Sequence, residues 1–346
     1  MLDTRYAFMS AYLKGEEAKI ITSDHLNKMS KVSSIQDVWG IIKDTDIGSY
    51  FEEVVVNTFD DVDGHLWKYF GECLRHLEGL KLLPNDMRKI LRAHILKYDM
   101  SNIKAALQGI LTGKKVEMIP AGVIHNNEQL DKLSTAKNVD SIIDLLIQCK
   151  LRNYVPVLEE YQIEGGVKSR LLTETRLDSM YYQDLKKAAL ETKDGSILSQ
   201  AVGIMIDMTN LQIILRAIID GSGAEAAEFT ISGGYTISGE VAKELLSLKL
   251  SDMPGRLEHT PYLDAVREIL TNYDRTESIS VIEEIMSKHK FRLVKEILSL
   301  RLLSPPVIAW YLILKEIEIR SLRLILKAMF DNISLEEIRT FVVLSS

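Results

Sequence analysis

The stretch DMSNIKAALQGILTG, from Asp99 to Gly113, returns in altered form as DMTNLQIILRAIIDG, from Asp207 to Gly221. The second copy begins 108 residues after the first. In both copies apolar residues recur at intervals of three and four, which is the spacing of one face of an α-helix. The repetition therefore predicts two equivalent amphipathic helices in one chain.

Two polar positions and a terminal residue mark each copy, and a fainter third copy, EIRSLRLILKAMFDN, keeps the same positions. One position departs from the pattern. Three residues before the third copy begins, Lys315 stands where the other two copies carry an apolar residue. The resulting signature consists of Asp99, Asn102 and Gly113 in the first copy, Asp207, Asn210 and Gly221 in the second, and Glu318, Ser321 and Asn332 in the third.

A second repeated element supports the first. LNKMSKVSSIQDVWGII, from Leu26, resembles LDKLSTAKNVDSIIDLL, which begins 104 residues later at Leu130. We expect a single body made of three pseudo-repeats, approximately residues 1–116, 117–226 and 227–346. Units of this length exceed the roughly 33 to 47 residues of helical solenoid repeats. The prediction is an all-α fold whose three helical bundles pack around a pseudo-threefold axis.

Composition agrees with a soluble helical protein and argues against several classes. Only 7 of 346 residues are proline, which suits long helices. The net charge of −7 argues against a nucleic-acid partner. Two cysteines, Cys73 and Cys149, provide no disulfide framework and fit a reducing compartment. The first residues carry charge without an apolar core, so no signal peptide is expected.

The most apolar window, ILSQAVGIMIDMTNLQIILRAIID, is the one segment whose hydrophobicity suggests a membrane-spanning helix. It contains Asp207 and Arg216, and charges near the centre of a span are costly. We therefore interpret it as a buried helix.

Two glycine motifs imitate nucleotide-binding loops. GILTGKK, from Gly109, has the wrong spacing for a phosphate loop and follows a helix. GSGAEA, from Gly221, follows a helix instead of the strand that a dinucleotide site requires. Gly113, Gly221 and Asn332 are instead predicted to adopt the left-handed conformation that ends helices.

The Asp/Asn pairs could be catalytic, since residues three apart share one helix face. An active site seldom occurs three times in one chain, so hydrogen bonding to neighbouring helices or loops is the favoured interpretation.

Cys73 and His76 lack the further ligands that a zinc site needs. We expect no catalytic residue, cofactor or metal. On the last long helix, Glu316, Arg320, Arg323 and Lys327 form either a solvated face or a basic stripe for an acidic partner, and the pattern leaves both open.

Taken together, these segments resemble a known family. The signature helices, the N-terminal YAFMSAYLKGEEAKIIT, LDSMYYQDL from Leu177 and LKEIEIRSLRLILK from Leu314 are similar to the C subunit of archaeal-type and bacterial V-type rotary ATPases. The eukaryotic counterpart is known as the d subunit. The similarity spans essentially the whole chain and rests on the order and spacing of short motifs.

The resemblance implies a funnel of three bundles around a central cavity. It also implies a non-catalytic rotor subunit that joins the central stalk to the membrane proteolipid ring and transmits torque. The stalk subunits, of D and F type, would enter the cavity, and the ring would contact the opposite face. The expected location is the cytoplasmic face of the membrane, as a peripheral part of the complex. Two alternatives are a general helical scaffold that binds an unrelated coiled coil and an all-helical enzyme that uses the Asp/Asn pairs.

Overall fold

The computed structural model describes residues 4–32, 34–52, 54–339 and 341–343. Within them the regular structure is helical, without a strand, and the predicted all-α class is confirmed. The predicted repeats begin at residue 1 and end at residue 346, which both lie outside the described residues. The α-helices are α1 (Thr4–Glu17), α2 (Ser23–Met29), α3 (Ile35–Ile41), α4 (Asp46–Phe51), α5 (Phe59–Gly79), α6 (Asn85–Thr112), α7 (Asn127–Ser134), α8 (Val139–Gln148), α9 (Val155–Glu164), α10 (Gly166–Leu190), α11 (Gly195–Ile219), α12 (Gly239–Leu246), α13 (Met253–Arg256), α14 (Leu263–Thr276), α15 (Ser280–Leu298), α16 (Pro306–Phe330) and α17 (Leu335–Ile338). Short 3₁₀ helices occupy Arg152–Tyr154, Gly223–Phe229 and Leu250–Asp252.

Local sequence signals set where many of these helices begin. Thr58 accepts a hydrogen bond from the Asp61 N–H while the Asp61 side chain bonds the Thr58 N–H, so this capping box starts α5. Asn138 and Ser238 cap α8 and α12 through their side-chain oxygens. As the sequence predicts, α16 starts at the proline pair, with Pro306 as its first residue.

Six long helices form three hairpins, one in each predicted repeat. The pairs are α5 with α6, α10 with α11, and α15 with α16, and the helices of each pair contact each other. The second helix of each hairpin also packs against the first helix of the next: α6 against α10, α11 against α15, and α16 against α5. The contacts therefore form a closed circuit. A threefold axis and a funnel shape remain predictions.

The turns of the three hairpins lie at one end of the molecule, which we call the turn end. Asp86, at the start of α6, accepts hydrogen bonds from the Lys193 N–H of the second turn and from the Tyr6 hydroxyl of α1. The Leu303 N–H of the third turn donates to Ser10 of α1 over 2.9 Å. Helix α1 thus ties the first and third turns together.

Helix α11 connects two hydrophobic clusters. Its first half, including Leu198 and Val202, packs in the cluster that holds α5, α6 and α16. Its second half, including Leu211 and Ile214, packs with α12 to α15. Among the described residues α11 is the one helix long and apolar enough to cross a membrane, and 61% of its most apolar window is buried inside the protein.

Candidate functional site

The first Asp/Asn pair of the signature holds the loop that leads from α6 to α7. Asp99 is fully buried and accepts hydrogen bonds from the Val123 and Ile124 N–H groups, both over 2.8 Å. Asn102 exchanges two bonds with the Ile119 backbone, accepting from its N–H over 2.8 Å and donating to its carbonyl over 2.9 Å. Burial raises the pKa of Asp99 to about 7, although the two N–H donors oppose that shift.

The second pair repeats the arrangement. Asp207 accepts from the Thr236 and Ile237 N–H groups, over 2.6 and 3.1 Å, and from the Tyr262 hydroxyl over 2.6 Å. Asn210 exchanges two 2.8 Å bonds with the Ile231 backbone. The two pairs therefore fasten equivalent loops by equivalent bonds.

Glycine allows these loops to approach the carboxylates. A Cβ atom at Gly122 would lie 2.3 Å from Asp99 Oδ1, and one at Gly234 would lie 1.8 Å from Asp207 Oδ1. Both distances are far below van der Waals contact. We did not identify these two glycines from the sequence, although each lies shortly before the first helix of the following repeat, in GVIHN and GYTIS.

In the third copy, the signature side chains form hydrogen bonds with backbone groups near the two ends of the described chain. Glu318 accepts from the Ile21 N–H over 2.9 Å and pairs with Lys315 over 2.8 Å. Ser321 donates to the Val343 carbonyl over 2.6 Å. Ile21, Ile124 and Ile237 all lie just before the first short helix of a repeat, α2, α7 or α12. Each signature carboxylate thus bonds the segment just before the first short helix of the next predicted repeat, and the third bonds the corresponding segment of the first.

The three terminal residues of the signature lie past the ends of α6, α11 and α16. Their φ angles are +64° at Gly113, +70° at Gly221 and +56° at Asn332. Glycine and asparagine adopt this left-handed conformation most readily. All nine signature residues therefore make backbone or helix-end contacts in this structure, and we propose a structural role for them.

A cavity of about 420 Å³ lies between the hairpins, and we call it the inter-hairpin cavity. Side chains of α6, α10, α11, α15 and α16 line it, together with Phe341 and Val343. Its charged and ionisable lining residues include His94, Lys97, Asp178, Lys290, Glu316 and Arg320.

Repeat positions account for part of this lining. The residue two before the signature acid is Lys97, Met205 or Glu316, and all three line the cavity. The residue two after it is Ser101, Thr209 or Arg320, and these also line the cavity. The same faces of α6, α11 and α16 therefore converge on one space.

Glu316 is the electrostatic centre of the cavity. Its carboxylate pairs with Lys97 and, over 2.8 Å, with Arg320, while the His94 Nε2 lies 3.8 Å away. Burial alone would raise the pKa of Glu316, but the charges of Lys97 and Arg320 outweigh burial and hold that pKa well below its usual range. Burial, with Lys97 nearby, lowers the pKa of His94 to about 3.

The charges on α16 therefore divide between two surroundings. Glu316 is only 6% exposed and lies in the cavity, so the solvated-face interpretation is wrong for it. Arg320 projects into the cavity. Arg323 pairs instead with Asp63 of α5, and Lys327 pairs with Asp331 over 3.0 Å. Arg323 and Lys327 both lie over the Phe59 ring, and a basic stripe for an acidic partner stays a prediction.

Sequence reasoning did not identify the cavity residues as a site. Tyr181 lies within LDSMYYQDL, and Glu316 and Arg320 lie within LKEIEIRSLRLILK, two of the segments that carry the family resemblance. A usable signal existed in Lys97 and Glu316, which are charged residues at equivalent positions of α6 and α16.

Comparison with known proteins identifies the family. The sequence model of the ATP synthase (C/AC39) subunit family matches residues 9–341. The chain belongs to this family. It is 28% identical to the C subunit of the A-type ATP synthase of Methanocaldococcus jannaschii, over 98% of this chain and 86% of that protein. The corresponding proteins of Thermococcus onnurineus and Pyrococcus furiosus are 25% and 24% identical, each over 98% of this chain and 90% of the relative.

The resemblance inferred from the sequence is thereby confirmed. As a member of this family the chain is a non-catalytic accessory subunit of a rotary ATPase and part of a membrane-associated complex. The all-helical enzyme is therefore no longer an alternative.

Proposed function

We propose that this chain is the rotor adaptor of an A-type or V-type ATP synthase/ATPase. It acts as a socket between the D- and F-type subunits of the central stalk and the membrane proteolipid ring. In this role it transmits torque between ATP chemistry and H⁺ or Na⁺ transport, at the cytoplasmic face of the membrane. The observation that carries the proposal is the inter-hairpin cavity, which opens among five long helices of a closed circuit.

A torque-transmitting socket must resist deformation, because a compliant body would store torque as strain. Three features support that requirement. The long helices pack in a closed circuit. The signature pairs hold the loops between repeats by buried hydrogen bonds. Densely packed interiors have low compressibility and transmit strain.

The turn end supplies a candidate contact surface for the ring. Exposed large apolar side chains occur on all three turns and on α1, although such side chains are usually buried. Leu300 is 82% exposed. The other members of this apolar surface are Phe8, Leu82, Leu190, Leu302 and Leu303. Groups of exposed apolar residues can mark interaction sites, and we assign this group on the three turns and α1 to the cytoplasmic loops of the proteolipid ring.

The stalk contact can be tested by photo-cross-linking. A photoreactive residue replaces Thr209, which lines the cavity, or Thr271, which lies on the outer helix α14. Both hydroxyls bond the backbone one turn earlier, so the two positions are matched. With the purified two-subunit stalk we expect adducts from position 209 only.

Two results would contradict a stalk tip in the cavity. One is equal labelling from both positions. The other is no labelling from position 209 in a complex that native mass spectrometry detects. If the chain bound unrelated coiled coils as well as it binds the stalk, the general scaffold would be the better description.

The ring contact can be tested at the turn end. Leu300→Ser combined with Leu302→Ser should weaken binding to purified ring in nanodiscs by tenfold or more, since burying one large apolar side chain contributes about 1.5–3 kcal/mol. Ile163→Ser, at an 85% exposed position in α9, is the matched control and should bind normally. Unchanged ring binding by the double variant would remove the turn end from the proposal.

A further inference from the structure

The inter-hairpin cavity carries more positive charge than its own acids neutralise. Glu316 is shared between Lys97 and Arg320, and Asp178 pairs with Lys104 over 2.6 Å. Lys290, on α15, forms neither a hydrogen bond nor an ion pair within the residues that the structure describes. The acid that attracts its ammonium group is Glu316, which already pairs with Lys97 and Arg320.

Two buried polar atoms at the cavity also lack partners. The Tyr181 hydroxyl and the His94 Nε2 make no hydrogen bond, although these residues are only 4% and 3% exposed. The great majority of buried polar groups in folded proteins are hydrogen-bonded, so these two exceptions need an explanation, and a ligand in the cavity would supply one for the Tyr181 hydroxyl.

These groups select one class of ligand. Lysine and arginine side chains are donors only, and the tyrosine hydroxyl can donate. Water could satisfy the hydroxyl but could not neutralise Lys290. A cation would meet Glu316 already paired with two cations. A small oxyanion would satisfy both requirements, since charge-assisted hydrogen bonds to lysine and arginine are strong.

We propose that the inter-hairpin cavity is an oxyanion-binding site, in which Lys290, Arg320 and the Tyr181 hydroxyl hold a free phosphate-class anion. The Arg320 side chain remains 62% exposed within the cavity, so its guanidinium can reach a ligand there while its partner Glu316 stays buried. The site is argued from the cavity's own residues, but it lies in the cavity that the proposed function gives to the stalk tip, so its test uses the full chain without the stalk.

The pKa of Lys290 reflects its surroundings within the protein. Burial, reinforced by the nearby charges of Arg320 and Lys97 and opposed by that of Glu316, lowers the pKa of Lys290 to about 8. A bound oxyanion would reverse this effect, because an opposite charge within a few ångströms favours the protonated amine.

The test compares Lys290→Gln with Lys288→Gln in the full chain. Lys288 lies on the same helix but pairs with Glu284 over 2.8 Å and does not line the cavity. Inorganic phosphate is titrated by calorimetry, and unfolding is followed in phosphate and in chloride at equal ionic strength. We expect saturable phosphate binding and a rise in Tm for the wild type and for Lys288→Gln.

For Lys290→Gln we expect the phosphate affinity to fall at least tenfold. In chloride its Tm should equal or exceed that of the wild type, because the substitution removes a charge repelled by Arg320 and Lys97. Tyr181→Phe removes only the hydroxyl and should also weaken phosphate binding several-fold while the chain stays folded. Absence of saturable binding in the wild type, or unchanged affinity in Lys290→Gln, would overturn the proposal.

Discussion

His94 shows how one buried side chain makes the stability of this protein depend on pH. Its folded-state pKa of about 3 lies below the usual histidine value of roughly 6.5, because burial and the nearby Lys97 disfavour the charged ring. As the pH falls below about 6.5, the unfolded chain takes up a proton at this position and the folded chain does not. The contribution of His94 to stability is therefore lost as the medium becomes acidic.

We expect His94→Gln to remove this dependence. Between pH 7 and pH 5 the wild type should lose about 2 kcal/mol of unfolding free energy that the variant does not lose. Urea denaturation at the two pH values measures the difference. His125→Gln, which removes an exposed imidazole, is the control and should follow the wild type. Equal acid sensitivity of His94→Gln and wild type would show that His94 is protonated in the folded state.

Asn210 illustrates the cost of leaving backbone groups unpaired. Asn210→Ala removes both bonds to the Ile231 backbone, and residue 231 is buried. A buried unpaired polar group costs about 1–3 kcal/mol, so we expect a loss of about 3 kcal/mol in urea denaturation with helix content retained. Asn272→Ala, at an exposed position where the side chain bonds its own helix, should cost less than about 0.5 kcal/mol. Similar losses for the two variants would refute the clamping role of Asn210.

At the scale of the element, the residues that end the signature helices are sensitive to substitution because of their left-handed backbone conformation. Gly113 has a φ of +64° and no atom within 4 Å of an added Cβ, so a side chain would meet strain but no clash. Gly113→Ala should therefore lower the unfolding free energy by about 1 kcal/mol. Gly64→Ala, at an equally open position inside α5, should raise it by about 0.5–1 kcal/mol, because alanine favours helix. Thermal unfolding of the pair measures both signs, and a gain in stability for Gly113→Ala would contradict the cap assignment.

The sequence could predict some elements of this fold but not others, for physical reasons. Helices α6, α11 and α16 were predictable because each carries a repeated polar landmark in an apolar face. Helices α10 and α15 share no such landmark, so residue spacing alone did not identify them as the first helices of their hairpins. The cavity was not predicted because the equivalent residues that line it differ in type between the copies. Met205 stands where the other copies carry Lys97 and Glu316.

At the scale of the whole molecule, the three signature carboxylates bond segments of successive predicted repeats. Asp99 and Asp207 each bond a loop that follows within the same stretch of chain. Glu318 instead bonds the Ile21 N–H, which lies near the opposite end of the sequence. From the sequence we predicted bonding to helices or loops without naming a partner, and the third partner is remote in sequence because only the folded circuit brings those residues together.

The contact between Glu318 and Ile21 has a consequence for the order of folding. The bonds to Ile124 and Ile237 close loops of 25 and 30 residues, whereas the bond to Ile21 spans 297. Loop-closure entropy grows with the logarithm of loop length, which places the long closure about 2 kcal/mol higher in free energy than the other two. The junction between the last repeat and the first should accordingly form last and open first.

Native-state hydrogen exchange can detect this ordering. We expect the Ile21 amide to exchange roughly 30-fold faster than those of Ile124 and Ile237, which is the rate equivalent of about 2 kcal/mol. Equal protection of the three amides would mean that the whole circuit opens as one cooperative unit. If that junction opens first, the proposed socket could admit a stalk there during assembly without breaking a covalent bond, and the closed circuit would then supply the stiffness that torque requires.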